Sequence, residues 1–190
     1  MSAFWNAFWI YFWPPFGAGI VIGIIAAVAA FRVKIVRVRE RPHEPDLIRQ
    51  PRRRRVAVLA AGLAASIAVA ALWHGPLGAA GRFAATIERQ AREALDHYEL
   101  VTVSAHLHHG PLTRQLVLTG GADLDGFQRS ELVRLFNQLP GVHSVSWSER
   151  SEWLPLIVEA ALAAIAGFLL GLLVAYLAER RRRFNSQWNW

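Results

Sequence analysis

Three long blocks without Lys, Arg or Asp dominate the chain, at residues 8–31, 56–73 and 153–177. Each approaches the roughly 20 apolar residues a helix needs to cross the hydrocarbon core of a bilayer. They restrict the chain to folds in which helices span a membrane. The first block carries no charge. The second is also uncharged but rich in Ala, which gives little transfer energy, so this span is expected to lean on its neighbours. The third holds one ionisable residue, Glu159. The first block is not read as a secretory signal. It lacks a positive leading region, is too long, and is not followed by a small-residue cleavage site.

The positions of Lys and Arg predict the orientation. Residues 32–55 hold ten of the 21, ending in Arg52, Arg53, Arg54 and Arg55, and a second run, Arg180, Arg181, Arg182 and Arg183, follows the third span. The residues before Phe12 hold none. The loop 32–55 and the tail 178–190 are therefore expected in the cytoplasm. The N-terminal segment 1–31 starts outside, and residues 74–152 form an external domain. The seven Arg of that domain are matched by nine acidic residues, a normal solvated balance. The net charge of +7 would suit nucleic acid or anionic lipid. Because each Arg run abuts a span, contact with anionic headgroups on the cytoplasmic side is the expected role, and no nucleic-acid partner is expected. Pro42, Pro45 and Pro51 predict an extended loop. With no cysteine in the chain, disulfides, thiolate metal sites and Cys nucleophiles are excluded.

The spans also carry surface signals. Trp5, Trp9 and Trp13 recur every four residues and share a helical face. They read as an aromatic belt at the headgroup boundary, or as a stripe packed on a partner protein, pigment or quinone. Trp188 and Trp190 make a second aromatic end. Pro14 and Pro15 predict a break or kink, which would leave the first residues along the interface. Gly19 and Gly23 form a GxxxG pair, as do Gly167 and Gly171. Small residues let helix backbones approach in lipid, which favours a compact bundle or assembly with other subunits or with itself. The spans lack the mid-membrane His, Lys, Arg or Asp that ion-coupled transport or haem ligation would need. Glu159, near the outer end of the third span, is expected to reach the interface or accept a hydrogen bond from a neighbouring helix.

Residues 82–98 read as an amphipathic helix, with Phe83, Ile87, Ala91, Ala94, Leu95 and Tyr98 on its apolar side. Alternation over 100–107 predicts a strand whose Val101, Val103, Ala105 and Leu107 share a face. His109-Gly110-Pro111 predicts a turn. A second strand follows at 115–120, a second helix at 123–139 with Phe127, Leu132, Leu135, Phe136 and Leu139 apolar, and a third strand at 142–147. The predicted class is an α-helical membrane protein with three transmembrane helices and a small α+β external domain of order αββαβ.

The segments His109-Gly110-Pro111-Leu112, Leu116-Val117-Leu118-Thr119-Gly120 and Leu139-Pro140-Gly141-Val142, with Val145, resemble the hairpin and closing GV-x-x-V of the BON family over residues 82–147. The resemblance implies a non-catalytic module of the bacterial envelope that binds lipid or protein partners. Its site would be the outer face of the inner membrane. A domain this small struggles to bury a full core, and fixation by a span at each end would help. His106 and His108 share a strand face about 7 Å apart and, with His97, are candidate metal ligands. A solvated hairpin end is the expected reading, since no carboxylate or thiol lies nearby in sequence. The chain lacks GxSxG, HExxH, Walker and Rossmann motifs. No enzyme activity, metal or cofactor is expected. Two functions remain: an envelope scaffold, or an accessory structural subunit of a larger inner-membrane complex, respiratory or photosynthetic.

Overall fold

The computed structural model describes residues 2–32, 49–148, 150 and 154–186, with side chains described for 11–31, 52–148, 150 and 154–184. Among these the elements run α1 (Ser2–Arg32), α2 (Arg49–His74), α3 (Ala79–His97), β1 (Val103–His109), β2 (Leu112–Gly120), α4 (Gly126–Phe136), β3 (Ser144–Ser146) and α5 (Leu156–Ser186). Three helices are long and apolar enough to cross a membrane, over Tyr11–Phe31, Arg52–His74 and Leu156–Phe184. The protein is mostly helical, with one small three-stranded sheet.

The helices correct three expectations. Pro14 and Pro15 do not end α1, which runs through them. A proline ring holds φ near the helical value, so the pair can stay within a helix although it removes two backbone donors. Such losses are tolerated in membrane helices whose neighbours re-satisfy the freed groups. Pro51 does not keep its surroundings extended. It lies in the first turn of α2, where an N–H would have no intrahelical partner. Arg52–Arg55 are consequently helical, and α5 continues through Arg180–Arg183 to Ser186. Pro42 and Pro45 lie outside the described residues.

By contacts the chain forms two compact units. One comprises Met1–Trp13 and Leu72–Ala160, the other Pro14–Ala71 and Ala161–Trp190. In the first, β1 pairs antiparallel with β2, and β2 pairs parallel with β3, so β2 is the central strand. Thr113 to Leu118 are buried without alternation, so both faces of β2 are covered there, whereas β1 is intermittently exposed. The buried row of α3 is Phe83, Ala84, Ile87, Ala91 and Leu95, a spacing that follows the 3.6-residue period. This row faces β1. The αL backbone at Gly141, with φ of 99°, turns the chain beneath α3. A Cβ there would lie 2.6 Å from Ile87 Cδ1 and 3.2 Å from the Phe83 ring. Asp125 and Gln128 close a reciprocal capping box at the start of α4, at 2.7 and 3.0 Å.

Several boundaries shift. Residues 100–102 form a turn, because the Leu100 N–H bonds back to Leu95 O and closes α3. The second strand starts at Leu112, three residues earlier than alternation predicted. The second helix is shorter at both ends than 123–139. Phe127, placed on an apolar helix face, is 73% exposed, and Val101 is 92% exposed. Tyr98 is exposed as well. Each of these three sits at or beyond the end of an element, where periodicity loses its meaning.

In the second unit the interior is built from small residues. Ala26, Ala27, Ala30, Ser66, Ala70, Ala163, Ala164 and Phe168 are buried. A Cβ on Gly62 would lie 2.8 Å from Ala26 Cβ and 3.0 Å from the Phe168 ring, so the three helices meet around that side chain.

Candidate functional site

β2 is covered on both faces, so its polar residues have to find partners inside the protein. Arg114 is 8% exposed and is the one charged side chain buried among the described residues. Its Nε donates to Glu159 Oε2 at 2.6 Å. The guanidinium also lies 5.3 Å from the centroid of the Phe83 ring, within range of a cation–π interaction. Phe83 in turn packs against Tyr11, with ring centroids 5.7 Å apart. The Tyr11 hydroxyl hydrogen-bonds His74 Nδ1, and the two rings meet edge to face. All five residues belong to the first unit. They clasp β2 and α3 to the first turn of α5, to α1 and to the end of α2.

Physical chemistry favours each placement. A carboxylate in the first turn of α5 meets the positive end of the helix dipole. An Arg buried beside a carboxylate keeps a charge-assisted bond that water would otherwise supply. Next to it, Gln115 is 4% exposed. Its Nε2 donates to Ser146 Oγ at 2.7 Å and to the Arg150 carbonyl at 3.1 Å, holding β3 and the chain that leads toward α5. Glu159 was expected at the interface or bonded to a helix. Its carboxylate accepts from a strand residue, Arg114. Sequence reading missed Arg114, although a lone acid in a span implies a partner, and Arg114 is the one Lys or Arg between Arg92 and Arg129.

The histidines rearrange relative to the strand prediction. Between the Leu107–Leu116 and His109–Leu112 pairs the register shifts, with one residue of β1 opposite three of β2, so the extra residues belong to β2. His106 stacks with His109, with centroids 6.3 Å apart and planes 1° from parallel. His108 instead pairs through Nδ1 with the Pro111 carbonyl. A carboxylate does lie near in space. Glu88 of α3 is 3.2 Å from His109 Nε2 and accepts the Leu107 N–H at 3.0 Å. His97 stacks edgewise on Tyr98. Among the described residues no three His, Asp or Glu converge as metal ligands.

The glycines predicted for helix packing lie against the backbone of the facing helix, and Gly23 meets Gly171. A Cβ on Gly19 would lie 2.9 Å from Phe168 N, and one on Gly23 would lie 3.2 Å from Gly171 Cα. On α5, a Cβ at Gly167 would lie 3.2 Å from Ile20 N, and one at Gly171 would lie 3.0 Å from Ile24 N. Here α1 and α5 touch backbone to backbone.

Arg52 to Arg54 are exposed, and Arg55 is partly covered. On α5, Arg180 and Arg181 line a cavity of about 420 Å³ with Leu177, Arg183 and Phe184. Arg183 also bonds Glu179 at 2.9 Å. A groove of about 370 Å³ between the end of α3 and α4 is lined mainly by Tyr98, Leu100, Leu124, Phe127, Leu132 and Leu135. Trp13 meets Phe12 edge to face at 5.7 Å. Trp5 and Trp9 lie on α1 with side chains outside the described ones, and Trp188 and Trp190 lie outside the described residues. No family model, no curated protein and no solved structure matches the chain.

Proposed function

We propose that the chain is a non-catalytic scaffold of the bacterial inner membrane. It holds a small BON-like domain at the outer face for lipid or protein partners. The clasp of Arg114, Glu159, Phe83, Tyr11 and His74 carries this reading. Removing either charge would strand the other, so the pair supports a structural role for these buried polar side chains within the domain's own unit. The observed order α3-β1-β2-α4-β3 supports the family resemblance. The arginine runs support a topology with residues 74–152 periplasmic, the C-terminus cytoplasmic, and Arg52–Arg55 and Arg180–Arg183 at anionic headgroups.

The second reading, an accessory subunit of a larger membrane complex, draws on α2. Its exposed residues include Ala57, Ala60, Ala61, Ala64, Ala65 and Ala68. Such a face gains little from lipid and accepts another helix closely. Mild detergent extraction followed by blue-native electrophoresis separates the two. A monomer or small homo-oligomer is expected for the scaffold. A stoichiometric high-mass band would replace it with the subunit reading.

A further inference from the structure

The end of α5 combines two chemistries on one face. Leu170, Leu173 and Leu177 are exposed apolar side chains, spaced so that they share a helix face with Arg180, Arg181 and Phe184. Leu177 and Phe184 line a cavity of about 420 Å³ together with Arg180, Arg181 and Arg183. Arg180 and Arg181 make no hydrogen bond or ion pair among the described residues. Arg183 beside them is paired with Glu179, so the cationic centre of the cavity is Arg180 and Arg181. A diffuse topology signal needs neither the walls nor the apolar column leading away from them. An amphiphile with a phosphate head and an acyl chain matches both.

We propose that this face is a binding site for one anionic glycerophospholipid, with the phosphate between Arg180 and Arg181. An acyl chain lies along Leu177, Leu173 and Leu170, and the Phe184 ring covers the headgroup side. The occupant follows from charge complementarity. Planar guanidinium forks match phosphate oxygens in a bidentate manner, and the apolar column beneath gives a lipid an advantage that a free phosphate lacks. The proposal rests on the reading of α5 as a membrane span and sharpens the general headgroup contact assigned to both arginine runs.

The test uses the full-length protein in uncharged detergent, titrated separately with phosphatidylglycerol, phosphatidylcholine and inorganic phosphate, with bound adducts read by native mass spectrometry. Phosphatidylglycerol is expected to bind selectively to the wild type. The double variant Arg180→Gln/Arg181→Gln is expected to bind it about 30-fold more weakly, the scale for two basic side chains beside an anionic headgroup. The charge-matched control Arg89→Gln/Arg92→Gln, at two exposed positions of α3, is expected to stay near wild type. Equal loss in both double variants would overturn the site in favour of diffuse charge. Undiminished binding in Arg180→Gln/Arg181→Gln, or equal binding of phosphatidylcholine, would also overturn it. So would competition by inorganic phosphate at matched concentration, which would reduce the site to a simple anion pocket. Orientation in the cell does not enter this measurement, so a reversed topology would leave its result unchanged.

Discussion

Replacing Glu159 with Ala leaves the Arg114 guanidinium without its carboxylate. The Arg114 side chain is 10% exposed and the Glu159 side chain 21% exposed, so water reaches the carboxylate side more readily than the guanidinium. Breaking a buried pair by removing one partner costs about 3–5 kcal/mol. The Phe83 ring remains under the guanidinium and offsets part of this through its cation–π contact. The expected destabilisation is therefore near the lower end, about 3 kcal/mol. Because the clasp is local, hydrogen exchange of peptides covering β2 and the start of α5 is the appropriate assay, read on the full-length protein in detergent. A local opening made easier by about 3 kcal/mol speeds exchange by roughly two orders of magnitude. The apolar double variant Arg114→Met/Glu159→Leu removes both charges and keeps much of the volume. It is expected to fall within about 1.5 kcal/mol of wild type. A double-mutant coupling below about 0.5 kcal/mol would show that the two charges act independently and would refute the clasp.

Two further outcomes are expected. Gly171→Ala should lower the thermal midpoint of helix loss in detergent by overpacking worth about 1–3 kcal/mol, because its new Cβ would press into the Ile20 carbonyl oxygen of α1, while Gly17→Ala should be neutral because nothing lies within 4 Å of that Cβ; equal midpoints in the two variants would mean that α1 and α5 do not pack there. The chain lacks cysteine, so single Cys residues at Gln138 and Ser186 report topology without background: position 138 should react with an impermeant maleimide in spheroplasts and position 186 should not, and the reverse pattern would invert the proposed orientation. Thr113 is fully buried, and a Cys there should stay silent wherever the domain lies.

Much of the fold was legible because its signals are local. Span length and lack of charge are properties of consecutive residues, and helix periodicity with Gly and Pro punctuation located α3, α4 and the hairpin within a few residues. The failures share a cause. Phe127, Tyr98 and Val101 lie at element ends, where side chains no longer face the surface that periodicity assumes. The expected break at Pro14 and Pro15 treated the lost hydrogen bonds as decisive, whereas α1 runs through both residues.

The clasp shows why tertiary polar contacts resist sequence reading. Thr113, Arg114 and Gln115 look like a solvated stretch beside a turn, three polar residues in a row with no apolar alternation. Their burial follows from both faces of β2 being covered, which strand content alone does not reveal. Once β2 is enclosed, each polar residue there must bond inward, to Glu159 on α5 or to Ser146 and the Arg150 carbonyl. Arg114 thus fastens the sheet to α5 by an ion pair, and Gln115 fastens it to the chain entering α5 by amide bonds. Substituting Gln115 with Leu is expected to loosen only the second fastening, because the Arg114–Glu159 bond shares no atom with it. Exchange should then rise around 146–150 while the start of α5 stays protected. Coordinate loss of protection at both places would mean that the two fastenings form one cooperative unit instead.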